Sequence, residues 1–284
     1  MTTSGSDVGA ARRLAADDRP RSFKHRVLVG LGAAVIAAGR WLAAFAGIVI
    51  GVVVQACRPL TWRRPVRREF MRTMLLAGIG SLATIVVVAI LVGFAAVFQA
   101  LYWEGVLGQR DEVGRVVVPL IVRDIGPLLV GLILIGRCGS AMLMELAAIR
   151  VGGAYHMLDA QGVDPFLTLV VPRVLGLALS SVCLAIIFVA VSLLSGFVLA
   201  RALDAVVFTL WQFLDRTLGH LVARDAAVLL LKSALIGGVI GIVATMAPLA
   251  SATAARDVNA LVPKGFVQSI VAMLLVSGMV GVVF

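Results

Sequence analysis

Ionisable side chains embedded in long apolar stretches are where chemistry could sit in this chain. Burying charge in hydrocarbon is costly, and such groups usually bind or relay something. Five stand out: Arg123, Asp124, Arg137, Glu145 and Lys232. Asp124 and Lys232 could form a charge pair beside a polar head group, or each could snorkel to the nearest interface. Arg137 and Glu145 would lie within about 80° of each other around a helix but about 12 Å apart along it. That is too far for a direct pair, so each is expected to be neutralised from other helices, to snorkel, or to join a relay. His25, His156 and His220 are isolated, and there is no HExxH, GxSxG or Walker A pattern. Any ATP-driven work therefore falls to a partner, and no cofactor or metal is expected. Cys57, Cys138 and Cys183 lie in or beside apolar stretches without metal-ligand spacing, and are read as packing residues.

The elements that must position these charges follow from composition. The 284 residues are 61% hydrophobic and only 14% charged, against about 25% charged in an average soluble domain. Too few charged side chains remain to cover a soluble surface, which excludes soluble enzymes, disordered chains and secreted disulfide scaffolds. The net charge is +10, and residues 1–72 hold 13 of the 25 basic side chains but 4 of the 15 acidic ones. Basic charge concentrated beside apolar spans is the positive-inside pattern, not the spread expected of a nucleic-acid binder. It also suits contact with anionic lipid.

A spanning helix needs about 20 apolar residues. Five stretches qualify, at about 73–99, 117–148, 174–200, 226–250 and 265–284. The expected class is all-α, a polytopic membrane protein of five spans plus an N-terminal interfacial or re-entrant helix. Residues 1–22 read as a flexible polar tail, 23–72 as a basic interfacial region and 73–284 as the membrane domain. The apolar stretch 27–57 has basic clusters on both flanks, which a single crossing would separate. Lying in the interface keeps both on the cytoplasmic side, and Trp41 and Trp62 suit anchoring there. With a cytoplasmic N-terminus, 100–116 and 201–225 face outward, and the latter holds an amphipathic run, Val206–Leu218. Residues 149–173 and 251–264 face the cytoplasm. Gly237, Gly238 and Gly241 fit either close helix approach or simple tolerance in a membrane helix.

The loop after the second span is the most distinctive. Residues 153–161 can form a short helix that Gly162 ends in a left-handed conformation. Asp164 can cap the next helix, with Pro165 at its first position, and Pro172 and Arg173 mark re-entry into the membrane. Such a helix could be an ordinary connector, or a grip for a separate ATPase.

Here the residues resemble a known family. Arg123-Asp-Ile-Gly126-Pro127, Gly136-Arg137-Cys-Gly139-Ser140, Glu145-Leu146, Gly162-Val-Asp164-Pro165 and Val170-Val-Pro172-Arg173 match, in order and spacing, the MlaE/YrbE permeases. These are membrane subunits of lipid-transporting ABC systems that work with MCE proteins. The resemblance covers about 60–284. It implies a homodimer, or a pair with a paralogue, in the cytoplasmic (inner) membrane. It also implies a coupling helix, with Arg150, Tyr155, His156, Leu158, Asp159, Gly162, Asp164 and Pro165, that docks on an ATPase holding the ATP. An MCE-domain protein on the outer face, a small STAS-type subunit and a membrane lipid complete the implied partners; no nucleic acid is implied. Polar residues near the family's lipid pocket map onto Asp124 and Lys232, with Arg123 and Ser277 as further lipid-binding candidates. Two departures stand out: the family's Glu-x-Ile-Asp-Ala-Leu coupling run is here Gly153 to Leu158, and Ser277 stands where the last helix often carries Asp.

The expected function is therefore the permease subunit of an ABC-type lipid transporter coupled to an MCE protein, with phospholipid as the expected cargo and ATP hydrolysed by a separate subunit. The alternative is an ion-gradient-driven secondary transporter or channel with Arg137, Glu145 and Lys232 as its relay, although no marked inverted repeat supports it. A lipid enzyme would need converging His or Asp residues, which the sequence lacks.

Overall fold

In the computed structural model of the chain, the residues described are 39, 45–56, 58, 64–107, 119–153, 157–158, 160–162, 164–203, 211–212, 223–250 and 258–283. The chain divides between Ile50 and Gly51 into two compact units, and the architecture below belongs to the second. A short apolar helix, α1 (Phe45–Ala56), runs across that boundary and falls short of a membrane crossing. Five helices are long and apolar enough to span: α2 (Arg64–Leu107), α3 (Ile121–Val151), α4 (Phe166–Ala202), α5 (Ala223–Ala250) and α6 (Val258–Val283). No strand occurs among the described residues. The chain is thus an all-helical, multi-pass membrane protein, since in lipid a helix satisfies its own backbone groups.

Two boundaries differ from the sequence reading. α2 begins at Arg64, ahead of residue 73, and continues to Leu107, past residue 100. Arg64, Arg67, Arg68 and Arg72, at the end of the region read as interfacial, lie in its first turns. Hydropathy marks where a helix meets hydrocarbon, not where it starts.

Small residues set the packing. On α2, Thr73, Ala77, Ser81, Ile85, Ala89 and Gly93 recur every fourth residue and are buried, forming one helical stripe. The stripe lies against α4 in parallel, with Thr73 beside Gly176 and Gly93 beside Ser195. Ser180 Oγ donates to the Met74 carbonyl at 3.4 Å and Ser195 Oγ to that of Ile90 at 3.5 Å. α5 lies antiparallel to α4: a Cβ on Gly237 would come within 2.6 Å of the Leu177 carbonyl oxygen, and one on Gly241 within 2.9 Å of Val174 Cα. Gly238 has open space around it, so of the three glycines it alone is merely tolerated. α6 runs antiparallel to α3, where Gly131 meets Met273 and Gly265 meets Leu143. Leu134, Leu143, Leu177, Phe188, Ile236 and Ile240 fill the shared core. Cys138 packs into it, whereas Cys183 is exposed on α4 rather than packed.

Candidate functional site

α3 carries most of the charged candidates, and it is not a uniform helix. Its first turn, Ile121–Ile125, is wide: the Gly126 N–H bonds the Ile121 carbonyl five residues back. Pro127 explains this locally. It has no N–H for the Arg123 carbonyl, and its ring crowds that carbonyl, so an ordinary turn cannot close. A second wide turn, Ile135–Gly139, ends where the Ser140 N–H reaches Ile135 and Ser140 Oγ donates to the Gly136 carbonyl at 2.8 Å. A third, Phe166–Val170, opens α4 two residues before Pro172. Wide turns of this kind are frequent at functional positions.

The first wide turn presents Arg123 and Asp124 to the start of α5. Lys232 Nζ donates to Asp124 Oδ1 at 2.5 Å. The lysine side chain is 1% exposed and the aspartate 47%, so a buried cation is held by a carboxylate whose other oxygen can still meet a ligand. Alongside, Arg123 Nη1 lies 3.6 Å from Asp225 Oδ1. Ser277 is buried on α6 and makes no hydrogen bond to either member of the pair.

The opposite end of the bundle holds a second charged layer. Arg173, 2% exposed at the start of α4, reaches Glu69 of α2 at 2.8 Å and Glu145 of α3 at 3.1 Å. Arg72 of α2 adds a contact to Glu145 at 3.0 Å. Glu145 is thus neutralised from two other helices. Arg137 stands apart: its guanidinium donates to Thr84 Oγ1 at 2.8 Å. Asp124 and Glu145 are 21 positions apart in the sequence, about 31 Å of helix. That matches the roughly 30 Å hydrocarbon core of a bilayer, so the two charged layers bracket one membrane thickness.

The loop joining α3 to α4 leaves from the second layer. Gly153 and Gly162 both take φ of 71°, which favours glycine. Between them Met157 N–H bonds the Gly153 carbonyl at 3.1 Å, and Gln161 N–H bonds that of Met157 at 3.1 Å, a short helical segment. Asp164 Oδ1 accepts from the Phe166 N–H at 2.9 Å, with Pro165 at the first helical position. Met157 is 67% exposed, Leu158 half-buried and Arg150 partly buried. Tyr155, His156 and Asp159 lie outside the described residues, as does most of Val206–Leu218.

Sequence reasoning missed several partners: Arg72, Thr84 and Asp225. Glu69 carried a signal, being the one acid among Arg63, Arg64, Arg67, Arg68 and Arg72. No local pattern pointed to Thr84.

This arrangement has relatives. Residues 70–283 match the family model described as Permease MlaE. The chain belongs to the MlaE permease family. A probable ABC transporter permease of Rickettsia typhi is 25% identical over 72% of this chain and 78% of its own length. One from Synechocystis is 27% identical over 74% and 79%. The intermembrane phospholipid transport system permease protein MlaE of Haemophilus influenzae is 25% identical over 46% and 51%. As an MlaE-family permease, the chain is a membrane-embedded transporter component.

Proposed function

We propose that this chain is the permease subunit of an ABC transporter that moves phospholipid, with ATP hydrolysed by a separate cytoplasmic subunit. The observation that carries the reading is the Asp124–Lys232 pair: a buried lysine and a half-open carboxylate at one membrane face. A zwitterionic or anionic head group can exchange contacts with such a pair while its chains lie against the Leu, Ile and Val side chains exposed on the helices. Of the relatives, the Haemophilus protein is named for phospholipid transport, which supports that cargo.

In this reading the ATPase grips the 150–165 loop, with Arg150, Leu158 and Asp164 near its contact and Tyr155, His156 and Asp159 on the same segment. The Asp124 end faces outward, toward an MCE-domain protein. A second permease copy and a STAS-type subunit complete the assembly in the inner membrane, the N-terminus lying in the cytoplasm. The chain itself binds no nucleotide. Co-purification from native membranes, followed by mass spectrometry of bound lipid and partners, tests this. A phospholipid and an ATPase subunit are expected; uptake driven by an ion gradient in vesicles lacking any ATPase would refute it.

A further inference from the structure

A cavity of about 250 Å³ opens between α2 and α3, at the charged layer opposite Asp124. Its wall includes Arg72, Gly80, Arg137, Met142 and Glu145. Three arginines and two glutamates line it, but both glutamates are already engaged by Arg72 and Arg173. Of the three arginines in its wall, Arg137 is the one without a carboxylate partner among the described residues, its polar contact being the neutral Thr84 hydroxyl. Arg137 is eight positions from Glu145, about 12 Å inside the charged layer. A guanidinium at that depth is costly unless something anionic joins it. Its side chain is exposed, and Gly80 leaves room for an incoming group. Next to the cavity, Leu75, Leu76 and Ile79 form an exposed apolar strip on α2.

We infer that this cavity seats the phosphate of a membrane lipid against Arg137, its chains lying along the α2 strip. The planar guanidinium suits bidentate phosphate contact. The seat is a second one, 13 positions from Asp124 or about 20 Å of helix away. It rests on the reading that the chain handles phospholipid, and gives that cargo a place at the face opposite the Asp124–Lys232 pair. Free phosphate shares the head-group chemistry but makes no use of the apolar strip.

The test uses the full chain in phosphatidylcholine vesicles with two photoactivatable probes, a phosphatidic acid and a diacylglycerol with the same chains. The phosphatidic acid should label peptides from 72–84 and 137–145 about tenfold more than the diacylglycerol, as one charge-assisted contact would give. Arg137→Gln should erase the difference, Arg137→Lys should retain part of it, and Lys232→Met should leave labelling at these peptides unchanged. Equal labelling by both probes, or an Arg137→Gln chain that discriminates like the original, overturns the inference. So does loss of labelling under excess inorganic phosphate, which would assign the seat to the free anion. A disulfide between two Ala141→Cys copies would also overturn it, because a second chain would then cover the cavity. Labelling confined to 121–125 and 228–236 sinks this seat and leaves the proposed function standing; phosphate-independent labelling throughout sinks both.

Discussion

At the scale of single residues, the two members of the Asp124–Lys232 pair are unequal. Lys232 is enclosed and Asp124 half-open, so removing one is not equivalent to removing the other. Asp124→Asn strands a buried ammonium and should cost about 3 kcal/mol, the low end for a broken buried pair. Lys232→Met leaves a carboxylate that water can reach and should cost much less. Thermal unfolding in detergent reads the difference, and equal losses would contradict it. Both changes should abolish head-group discrimination in photolabelling of peptides 121–125 and 228–236. Arg173→Met should likewise destabilise by about 3 kcal/mol, because Glu69 and Glu145 both lose their enclosed partner. The charges themselves were legible in the sequence, since ionisable groups in apolar runs announce themselves. Their partners were not. Glu145 turns to α2 and α4 across separations of 73 and 28 residues, and helical periodicity within α3 carries no information about that.

Among the elements, α2 and α4 are joined by small residues and α3 is interrupted by wide turns. A Cβ on Gly93 would collide with Ser195 Oγ and the Ser192 carbonyl. Gly93→Leu should therefore cost about 1–3 kcal/mol or more through overpacking, while Gly238→Leu, in open space, should be near neutral. Urea or thermal melts of the two variants check this contrast. The five spans were readable from hydropathy, and the Gly162, Asp164 and Pro165 turn chemistry from residue type, whereas the left-handed turn at Gly153 was not read. The wide turns were not read, although Pro127 and Pro172 each follow one closely. A proline inside an apolar run usually signals a kink. Whether the helix answers by bending or by widening depends on its neighbours.

For the whole molecule, the alternation of α2 to α6 puts Asp164 and Arg224 at opposite faces. Membrane-impermeant thiol reagents should label Asp164→Cys from the cytoplasm and Arg224→Cys from outside, in a cysteine-free background. The reverse pattern would overturn the proposed orientation. The purified chain alone should hydrolyse no ATP, with turnover appearing once a partner ATPase is added; a phosphate-release assay decides it. The parallel α2–α4 seam also bears on how a push from below would travel. Interlocked backbones at Thr73–Gly176 and Gly93–Ser195 make these two rods a single stiff beam. Along the length of that seam the helix interrupted by wide turns is α3, at Ile121–Ile125 and again at Ile135–Gly139, the third wide turn lying in α4 ahead of the seam. Flexure is then concentrated at the two places that carry Asp124 and Arg137, so a stroke delivered to the loop would be spent on reshaping the grips rather than on tilting the frame.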